Sequence, residues 1–315
     1  MARRPRAAPV PPVTWRDGVH LTGTPIWCDA RRRRDVCFVS SADRVVKADH
    51  GQLIGTPTTI ALIAGRASGH LAVPVRRPFT LGTLRLELIP SGRTAGAAAL
   101  HVDTGMRTVL YAGAIRTVHA TEGAEVRASD AVVVAAPVGE AHHRFAPLGD
   151  VFERLVTWIH TQLAANQTPV LVVDHALDGL EVATKLVAGG LTVAASKSLR
   201  DAAGVIGDSA PALRAPGKEP AVIIRAETDR LKLATAINAL VSARAVDIAP
   251  GAHPGFAATF AWPFVASREQ LLGWIEQSRA KHVFVTGSCA ETIVAALGAK
   301  GHVLGPPQQM ALFSS

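Results

Sequence analysis

The sequence predicts an α/β protein built from layered sheets, and three observations lead to this prediction. Up to about Gly139 the chain consists of short apolar or alternating runs separated by Gly, Pro, Asp and Ser, which is typical of β-strands. From Leu148 onward, helical and strand patterns alternate, as they do in βαβ units with a parallel sheet. The chain has 315 residues, of which 48% are apolar, so it can bury a large core.

The first half of the chain is predicted to be mostly strands. Residues 1–13 are rich in Arg, Pro and Ala and cannot contribute to a core, so we expect a flexible basic arm there. Seven strand candidates follow: "VHLTGTPIWCDA", "DVCFVSS", "QLIGTP", "LRLELIP", "AALHVD", "RTVLYAG" and "AVVVAAPVG". A helix is predicted after Thr56, because "TPTTIALIAGRA" supplies a threonine cap, a proline in the first turn and apolar residues at helical spacing.

The second half is predicted to alternate helices with buried strands. Helices are expected at "VFERLVTWIHTQLAAN", "LDGLEVATKLVAGG", "TDRLKLATAINALVSA", "SREQLLGWIEQSRA" and "CAETIVAALGAKG". Strands are expected at "TPVLVVDH", "LTVAA", "EPAVIIRA" and "KHVFVTG". This alternation indicates a parallel sheet in this part of the chain.

Composition argues against several classes of protein. The longest apolar stretch, Ala131 to Val138, is far shorter than the ~20 residues that span a bilayer, and no charged-then-apolar leader opens the chain. Cys28, Cys37 and Cys289 are odd in number and lack C-x-x-C spacing, which argues against a disulfide framework and a cysteine zinc site. We therefore expect a soluble, cytoplasmic protein with no membrane partner.

The chain carries an excess of positive charge. Lys and Arg number 33 against 25 Asp and Glu, and part of the excess lies in "MARRPR" and in Arg31, Arg32, Arg33 and Arg34. The functional interpretation of these four arginines is a clamp for phosphates, and the alternative is a solvated loop. Aromatic residues make up 5% of the chain, which argues against a base-stacking platform.

Several stretches, taken in order, carry a family resemblance. They are "VHLTGTPIWCDARRRRDVCFVSS", "GTPTTIALIAGR", "RPFTLGTLRLELIPSGRTAGAAALHV", "RTVLYAGAI", "AVVVAAPVG", "TPVLVVDHALDGLEVATKLV" and "KHVFVTGSCAETIVAALGAKGHVLGPPQQMALF". Over nearly the whole chain this order resembles the metallo-β-lactamase fold nucleases, specifically the messenger RNA 3′-end processing factor-like proteins and ligase-associated exonucleases, relatives of the β-CASP nucleases. The resemblance implies a four-layer αββα sandwich in two parts, 14–159 and 249–315, with an α/β cap inserted at 160–248.

That family holds two divalent metal ions, and at the matching positions this chain lacks their ligands. The first motif, Ser-His-x-His-x-Asp-His, places Ser41, Asp43, Val45 and Val46 at the ligand positions. The remaining ligand positions fall on Arg93, Ala114, Val265 and Thr286, and a glutamate of the family falls on Ala135. Valine and alanine donate nothing, whereas metal-assisted hydrolysis needs several ligands in a fixed polyhedron. The resemblance therefore predicts no metal, no cofactor and no catalytic residue.

Other residues leave alternatives open. A relocated metal site could draw on the remaining acids and histidines, namely Asp43, Asp49, His50, His101, Asp103, His119, His142, His143, Asp174 and His175. The His142-His143 pair is expected in an exposed loop. Asp174-His175 is expected either at a functional strand end or in a turn into a capped helix. Ser288-Cys289 opens a helix that could lower a thiol pKa or bind an anion, but spacing identifies no partner histidine, and the favoured interpretation is a structural cap.

The expected function is that of a catalytically inactive subunit. We expect it to bind nucleic acid or to act as a scaffold beside a protein partner, either an active nuclease paralogue or another DNA- or RNA-processing factor. In this interpretation the basic arm, Arg31 to Arg34 and Arg93 hold the nucleic-acid backbone. The alternatives are a metal-dependent nuclease or phosphodiesterase with an unconventional metal site, and a structural subunit that touches no nucleic acid.

Overall fold

The structure is a computed structural model that describes residues 10–44, 49–63, 69–119, 122–217, 219, 221–231, 235–248 and 255–306. Most of the predicted basic arm lies outside the described residues, and so do Val45 and Val46. No helix within the described ranges is long and apolar enough to cross a membrane.

Six short strands form the first sheet, in chain order. They are β1 (Val13–Trp15), β2 (Val19–Leu21), β3 (Ile26–Cys28), β4 (Val36–Phe38), β5 (Gln52–Gly55) and β6 (His70–Ala72). The first three pair antiparallel, and β3 to β6 pair parallel. The predicted helix, α1 (Pro57–Ile63), lies between β5 and β6, and its predicted cap is confirmed because the Thr56 hydroxyl accepts a hydrogen bond from Thr59 N.

The second sheet has seven strands. Five of them follow β6 in the chain: β7 (Phe79–Leu81), β8 (Leu84–Pro90), β9 (Ala98–Asp103), β10 (Thr108–Gly113) and β11 (Ala131–Ala135). β7 to β10 form an antiparallel meander, and β11 pairs parallel with β10. The last two strands come from the end of the described chain.

A third sheet of five parallel strands is inserted after β11. It contains β12 (Thr168–Val173), β13 (Val193–Ala195), β14 (Val222–Ala226), β15 (Ala236–Ser242) and β16 (Ala258–Ala261) in the spatial order β13-β14-β12-β15-β16. Three helices pack with it around one apolar cluster: α2 (Leu148–Ala164), α3 (Ala176–Ala188) and α4 (Lys197–Ile206). We call this part of the chain the third-sheet unit.

The chain then returns to the second sheet. It does so through α5 (Arg268–Gln277), β17 (His282–Thr286), α6 (Ala290–Leu297) and β18 (Gly301–Val303). β17 pairs parallel with β11, and β18 with β17. The first and second sheets pack face to face, with α1 on the outer face of the first and α5 and α6 on the outer face of the second. The chain thus forms a layered α/β sandwich with a third-sheet unit inserted in it.

Three expectations about the second half need correction. Residues 236–242 form the strand β15 rather than a helix, because β12 and β16 pair with this segment on both sides and its last four residues are buried. The inserted unit begins before residue 160, because the buried face of α2 packs against β12. It also extends beyond residue 248, because β16 belongs to the third sheet.

Candidate functional site

The predicted ligand positions that the structure describes all lie at or after strand ends. They are Ser41 and Asp43 after β4, Arg93 after β8, Ala114 after β10, Ala135 at the end of β11, Val265 after β16 and Thr286 at the end of β17. Ala114, Ala135 and Val265 are buried in the apolar cluster shared with the third-sheet unit. Asp43, Ala135 and Thr286 line one cavity of 190 Å³, which we call the Asp43 cavity. The fold therefore brings most of these positions to one region.

Arg93 is buried in this region between carboxylates from two units. Its Nη1 and Nη2 atoms donate hydrogen bonds to Oδ1 and Oδ2 of Asp178 over 2.5 and 3.0 Å. Nη2 also lies 3.1 Å from Oδ2 of Asp43. The three side chains are only 9%, 0% and 5% exposed, in the order Arg93, Asp178 and Asp43. Because Asp178 lies in the first turn of α3, this cluster joins the third-sheet unit to the sandwich.

Electrostatics keep Arg93 and Asp43 charged, whereas burial outweighs the effect of Arg93 and raises the pKa of Asp178. Burial opposes the charge of Arg93, but Asp178 and Asp43 outweigh it and hold the pKa of Arg93 above its usual value. Burial also acts to raise the pKa of Asp43, and the guanidinium groups of Arg93 and Arg44 reverse this effect and hold it below its usual value. Both nitrogens of the Arg93 fork are occupied by carboxylates, so the expectation that Arg93 contacts nucleic acid is corrected.

A second buried ion pair joins the same two units. Glu181 lies one turn after Asp178 on α3, and its Oε2 accepts a hydrogen bond from Arg116 Nη1 over 2.6 Å. Its Oε1 accepts a hydrogen bond from Trp262 Nε1 over 2.8 Å, and His119 Nε2 lies 3.6 Å from Oε2. Burial acts to raise the pKa of Glu181, but these three partners lower it to about 2. One face of α3 therefore holds two arginines of the sandwich.

Asp29 lines the same cavity and has every oxygen engaged. Its Oδ1 accepts from Ser40 N over 2.8 Å, and its Oδ2 accepts from the hydroxyls of Ser40 and Tyr111 over 2.6 and 2.8 Å. Burial raises the pKa of Asp29 against the opposing effects of Arg44 and these hydrogen bonds. Asp29 thus joins the segment after β4 to β10, and both of its oxygens already hold hydrogen bonds.

The four arginines predicted as a clamp have different environments. Arg34 lies with its guanidinium carbon 3.7 Å from the ring centroid of Trp27, so it is a packing residue. Arg32 forms an exposed ion pair, in which its Nε lies 3.0 Å from Oδ2 of Asp17, and Arg33 is exposed. Arg31 is exposed and lines the Asp43 cavity. Only the first three arginines of the run therefore present cations at the surface.

A separate cluster joins the segment where the chain leaves the sandwich to the segment between β15 and β16 of the third-sheet unit. The Nε2 atoms of His142 and His143 lie 2.9 and 2.5 Å from Oδ1 of Asp247. In the part of the chain that the structure describes, this is the one group of three His, Cys, Asp or Glu residues with ligand atoms close enough for a metal. His142 is exposed, but His143 is buried, which corrects the expected exposed pair. Spacing alone did not identify Asp247.

The proton positions in this cluster argue against a metal. Nδ1 of His143 accepts hydrogen bonds from the backbone nitrogens of Gly139 and Glu140 over 3.2 and 3.3 Å, which places the proton of a neutral ring on Nε2. That N–H donates to Asp247, so neither ring nitrogen of His143 has a lone pair free for an ion. Ligand atoms around a tetrahedral ion with bonds of ~2.1 Å lie roughly 3.4 Å apart. The two distances from the histidine Nε2 atoms to Asp247 Oδ1, 2.9 and 2.5 Å, are both shorter than this. The cluster is a hydrogen-bonded contact between the segment after β11 and the third-sheet unit.

Cys289 has a histidine neighbour that spacing could not identify. Its Sγ lies 3.9 Å from Nδ1 of His143, whose Nε2 donates to Asp247. The thiol is buried, and burial raises its pKa, so the nucleophilic thiolate is disfavoured. The side chain also makes no capping hydrogen bond to α6. We assign Cys289 no catalytic role.

Asp174 and His175 lie at the carboxyl end of β12, as predicted. Asp174 accepts a hydrogen bond from the Ser242 hydroxyl over 2.5 Å and lies 3.0 Å from Arg244 Nε. His175 is the residue before α3, and its side chain does not cap the helix. Asp174 therefore ties β12 to the segment after β15, a packing role rather than a ligand site.

Comparison with known proteins identifies a similar fold without a family. No protein-family model matches the chain, and no curated protein matches it at the threshold applied. Among solved structures, the chain is similar to a protein of unknown function from Enterococcus faecalis V583, with a TM-score of 0.57 at 10% sequence identity. The similarity covers 86% of this chain and 79% of that chain. At this identity it concerns the fold alone, which is a mixed α/β architecture.

Proposed function

We propose that this chain is a catalytically inactive protein of the metallo-β-lactamase fold with an inserted β-CASP-like unit. The layered sandwich, the parallel third sheet inserted after β11 and the gathering of the ligand positions at strand ends support the fold assignment. The observation that carries the inactivity is the buried guanidinium of Arg93, held between Asp43 and Asp178 at a ligand position.

The residues of this region do not fit a pair of divalent ions. The carboxylates of Asp43 and Asp178, which could bind an ion, are already paired with Arg93. A divalent ion there would place two further positive charges close to a buried cation, with little screening. Ala114 and Val265 offer no donor atom in place of a ligand. We therefore derive no hydrolytic step through metal ions.

The first test is the metal content. Protein purified from cells grown with zinc and manganese is expected to hold fewer than about 0.1 ions per chain, because too few ligands are free. Elemental analysis by mass spectrometry measures this directly. A near-stoichiometric metal would instead favour the alternative of a nuclease with an unconventional site, and the His142→Ala variant would then show whether the cluster of His142, His143 and Asp247 holds the ion.

We further propose that the protein acts in the cytoplasm as a nucleic-acid-binding or scaffolding subunit beside a DNA- or RNA-processing partner. The net charge of +8 supports a polyanionic ligand. Arg31, Arg32 and Arg33 are consecutive and exposed, and they are the cations best placed to contact phosphates. Arg34 and Arg93 are left out of this surface because both are engaged within the fold.

The salt dependence of binding tests this surface. If each of the three arginines neutralises one phosphate of a single strand, changing all three to Ala is expected to lower the log–log salt slope by about 2. The matched control is the Arg77, Arg85 and Arg154 triple alanine variant, which removes the same charge from other exposed positions. An unchanged slope would remove these arginines from the interface. No binding by the wild-type protein would favour the structural-subunit alternative.

A further inference from the structure

A second cavity lies between the segment after β11 and the start of α5. It has a volume of 220 Å³ and shares no lining residue with the Asp43 cavity. The lining residues that bear on its chemistry are His143, Arg144, Phe145, Ser267, Arg268 and Glu269. We call it the Arg144 cavity, and neither of its arginines belongs to the surface proposed to contact nucleic acid.

The guanidinium of Arg268 is held at this cavity by the backbone. Its Nη1 donates a hydrogen bond to Gly139 O over 3.0 Å, and Ala141, two residues further on, also lines the cavity. This bond joins α5 to the segment after β11, so the guanidinium lies between the two segments that form the cavity. Arg268 forms no ion pair with a carboxylate in the part of the chain that the structure describes. Because a guanidinium has five N–H donors, most of them stay available for a ligand.

Arg144 adds a second cation to the cavity. It is exposed, and its side chain has no ion pair or hydrogen bond with any described residue. Glu269 is the one carboxylate among the described lining residues, and it forms no ion pair with either arginine. His143 offers the ligand nothing, because both of its ring nitrogens already hold hydrogen bonds. Two guanidinium groups against one carboxylate therefore make this a cavity for an anion.

Size and charge select the kind of anion. The 220 Å³ of the cavity corresponds to about seven water molecules, so it holds a phosphate group and only a few more atoms. A phosphate monoester carries a charge of about −1.5 to −2 at pH 7, which matches two arginines, and its terminal oxygens accept paired N–H groups. Half-buried Phe145 provides an apolar contact for the carbon next to the ester oxygen. We propose that the Arg144 cavity binds a small phosphate monoester through Arg144 and Arg268, a role that does not depend on nucleic-acid binding.

Calorimetric titration of the full chain tests the ligand class with three probes. Glycerol 3-phosphate is expected to bind about tenfold more tightly than dimethyl phosphate, because the diester has less charge and one terminal oxygen fewer. Inorganic phosphate lacks the carbon group that contacts Phe145 and is expected to bind about threefold more weakly than glycerol 3-phosphate. Equal affinity for dimethyl phosphate would assign the cavity to a nucleic-acid backbone and overturn the proposal. Inorganic phosphate binding at least as tightly as glycerol 3-phosphate would also overturn it, as would no binding of glycerol 3-phosphate.

Three variants locate the site. Arg144→Ala, at an exposed and unpaired position where the fold is not at risk, is expected to weaken the binding of glycerol 3-phosphate about tenfold. Glu269→Gln removes the one repelling charge and is expected to tighten the binding about threefold. Arg85→Ala removes an exposed arginine elsewhere and is expected to bind as the wild type does. Unchanged affinity in Arg144→Ala, or weaker binding in Glu269→Gln, would contradict a phosphate in this cavity.

Discussion

The Asp178→Ala variant is expected to unfold with a free energy about 3 to 5 kcal/mol lower than that of the wild type. Removing this carboxylate leaves Arg93 buried with one remaining contact, the 3.1 Å approach to Asp43. An uncompensated buried cation is costly because the protein interior screens charge poorly. Urea denaturation at neutral pH, followed by circular dichroism, measures the difference.

A matched control separates burial from the mere loss of an ion pair. Asp201→Ala removes a pair of the same 2.5 Å length to Lys197, but both side chains are mostly exposed, and the expected loss is at most about 0.5 kcal/mol. The double variant of Arg93 and Asp178 is expected to cost less than the sum of the single alanine variants, because removing both leaves no unpaired charge. A loss below about 1 kcal/mol for Asp178→Ala would contradict the buried cluster that supports the proposed inactivity.

The second large effect is a loss of stability in acid that depends on Glu181. Its pKa is about 2 in the folded protein and near 4.5 without the fold, so the folded state binds its proton less readily. The resulting stabilisation is fully present above the unfolded pKa and disappears as the pH falls through the folded pKa. It amounts to something on the order of 3 kcal/mol, since the side chain is 19% exposed and little screened.

The comparison with Glu181→Gln isolates this contribution. Above pH 5.5 or so, the free energy of unfolding of the variant is expected to be lower than that of the wild type by the whole contribution of ionised Glu181. The two free energies are expected to converge near pH 2. Glu219→Gln removes an exposed partner of Arg214 and is expected to leave the pH profile unchanged. Parallel profiles for the wild type and Glu181→Gln would show that Glu181 does not carry the acid sensitivity.

Local patterns in the sequence predicted much of the secondary structure. The Thr56 cap with the following proline placed α1, and the apolar run ending at Asp174 placed β12, because both signals act within a few residues. The segment that forms β15 was predicted wrongly. Its alanines and leucines favour a helix locally, but pairing with strands far away in the sequence decides its conformation.

The candidate site, like the secondary structure, was predicted from the sequence only in part. The order of landmarks predicts that Arg93, Ala114 and Val265 stand at the ligand positions of the family it resembles, and this stays a prediction. It did not identify Asp178 or Glu181, although two acids three residues apart in the apolar first half of the helix were a readable signal of polar partners on one face. Asp247 offered no such signal, because its partners lie more than 100 residues away.

The sequence by itself determined which chemical groups this protein has, and above all that the strand ends near Asp43 carry few donors for a metal. Only the tertiary structure decided which side chains meet at these strand ends. The fold brings Asp178 and Glu181 of α3 onto Arg93 and Arg116, and it leaves one oxygen of Asp43 without a hydrogen-bond partner among the residues that the structure describes. The physical reason is that charge neutralisation in a buried region depends on distances of a few ångströms between groups that are remote in the chain, and those distances exist only once the units have packed.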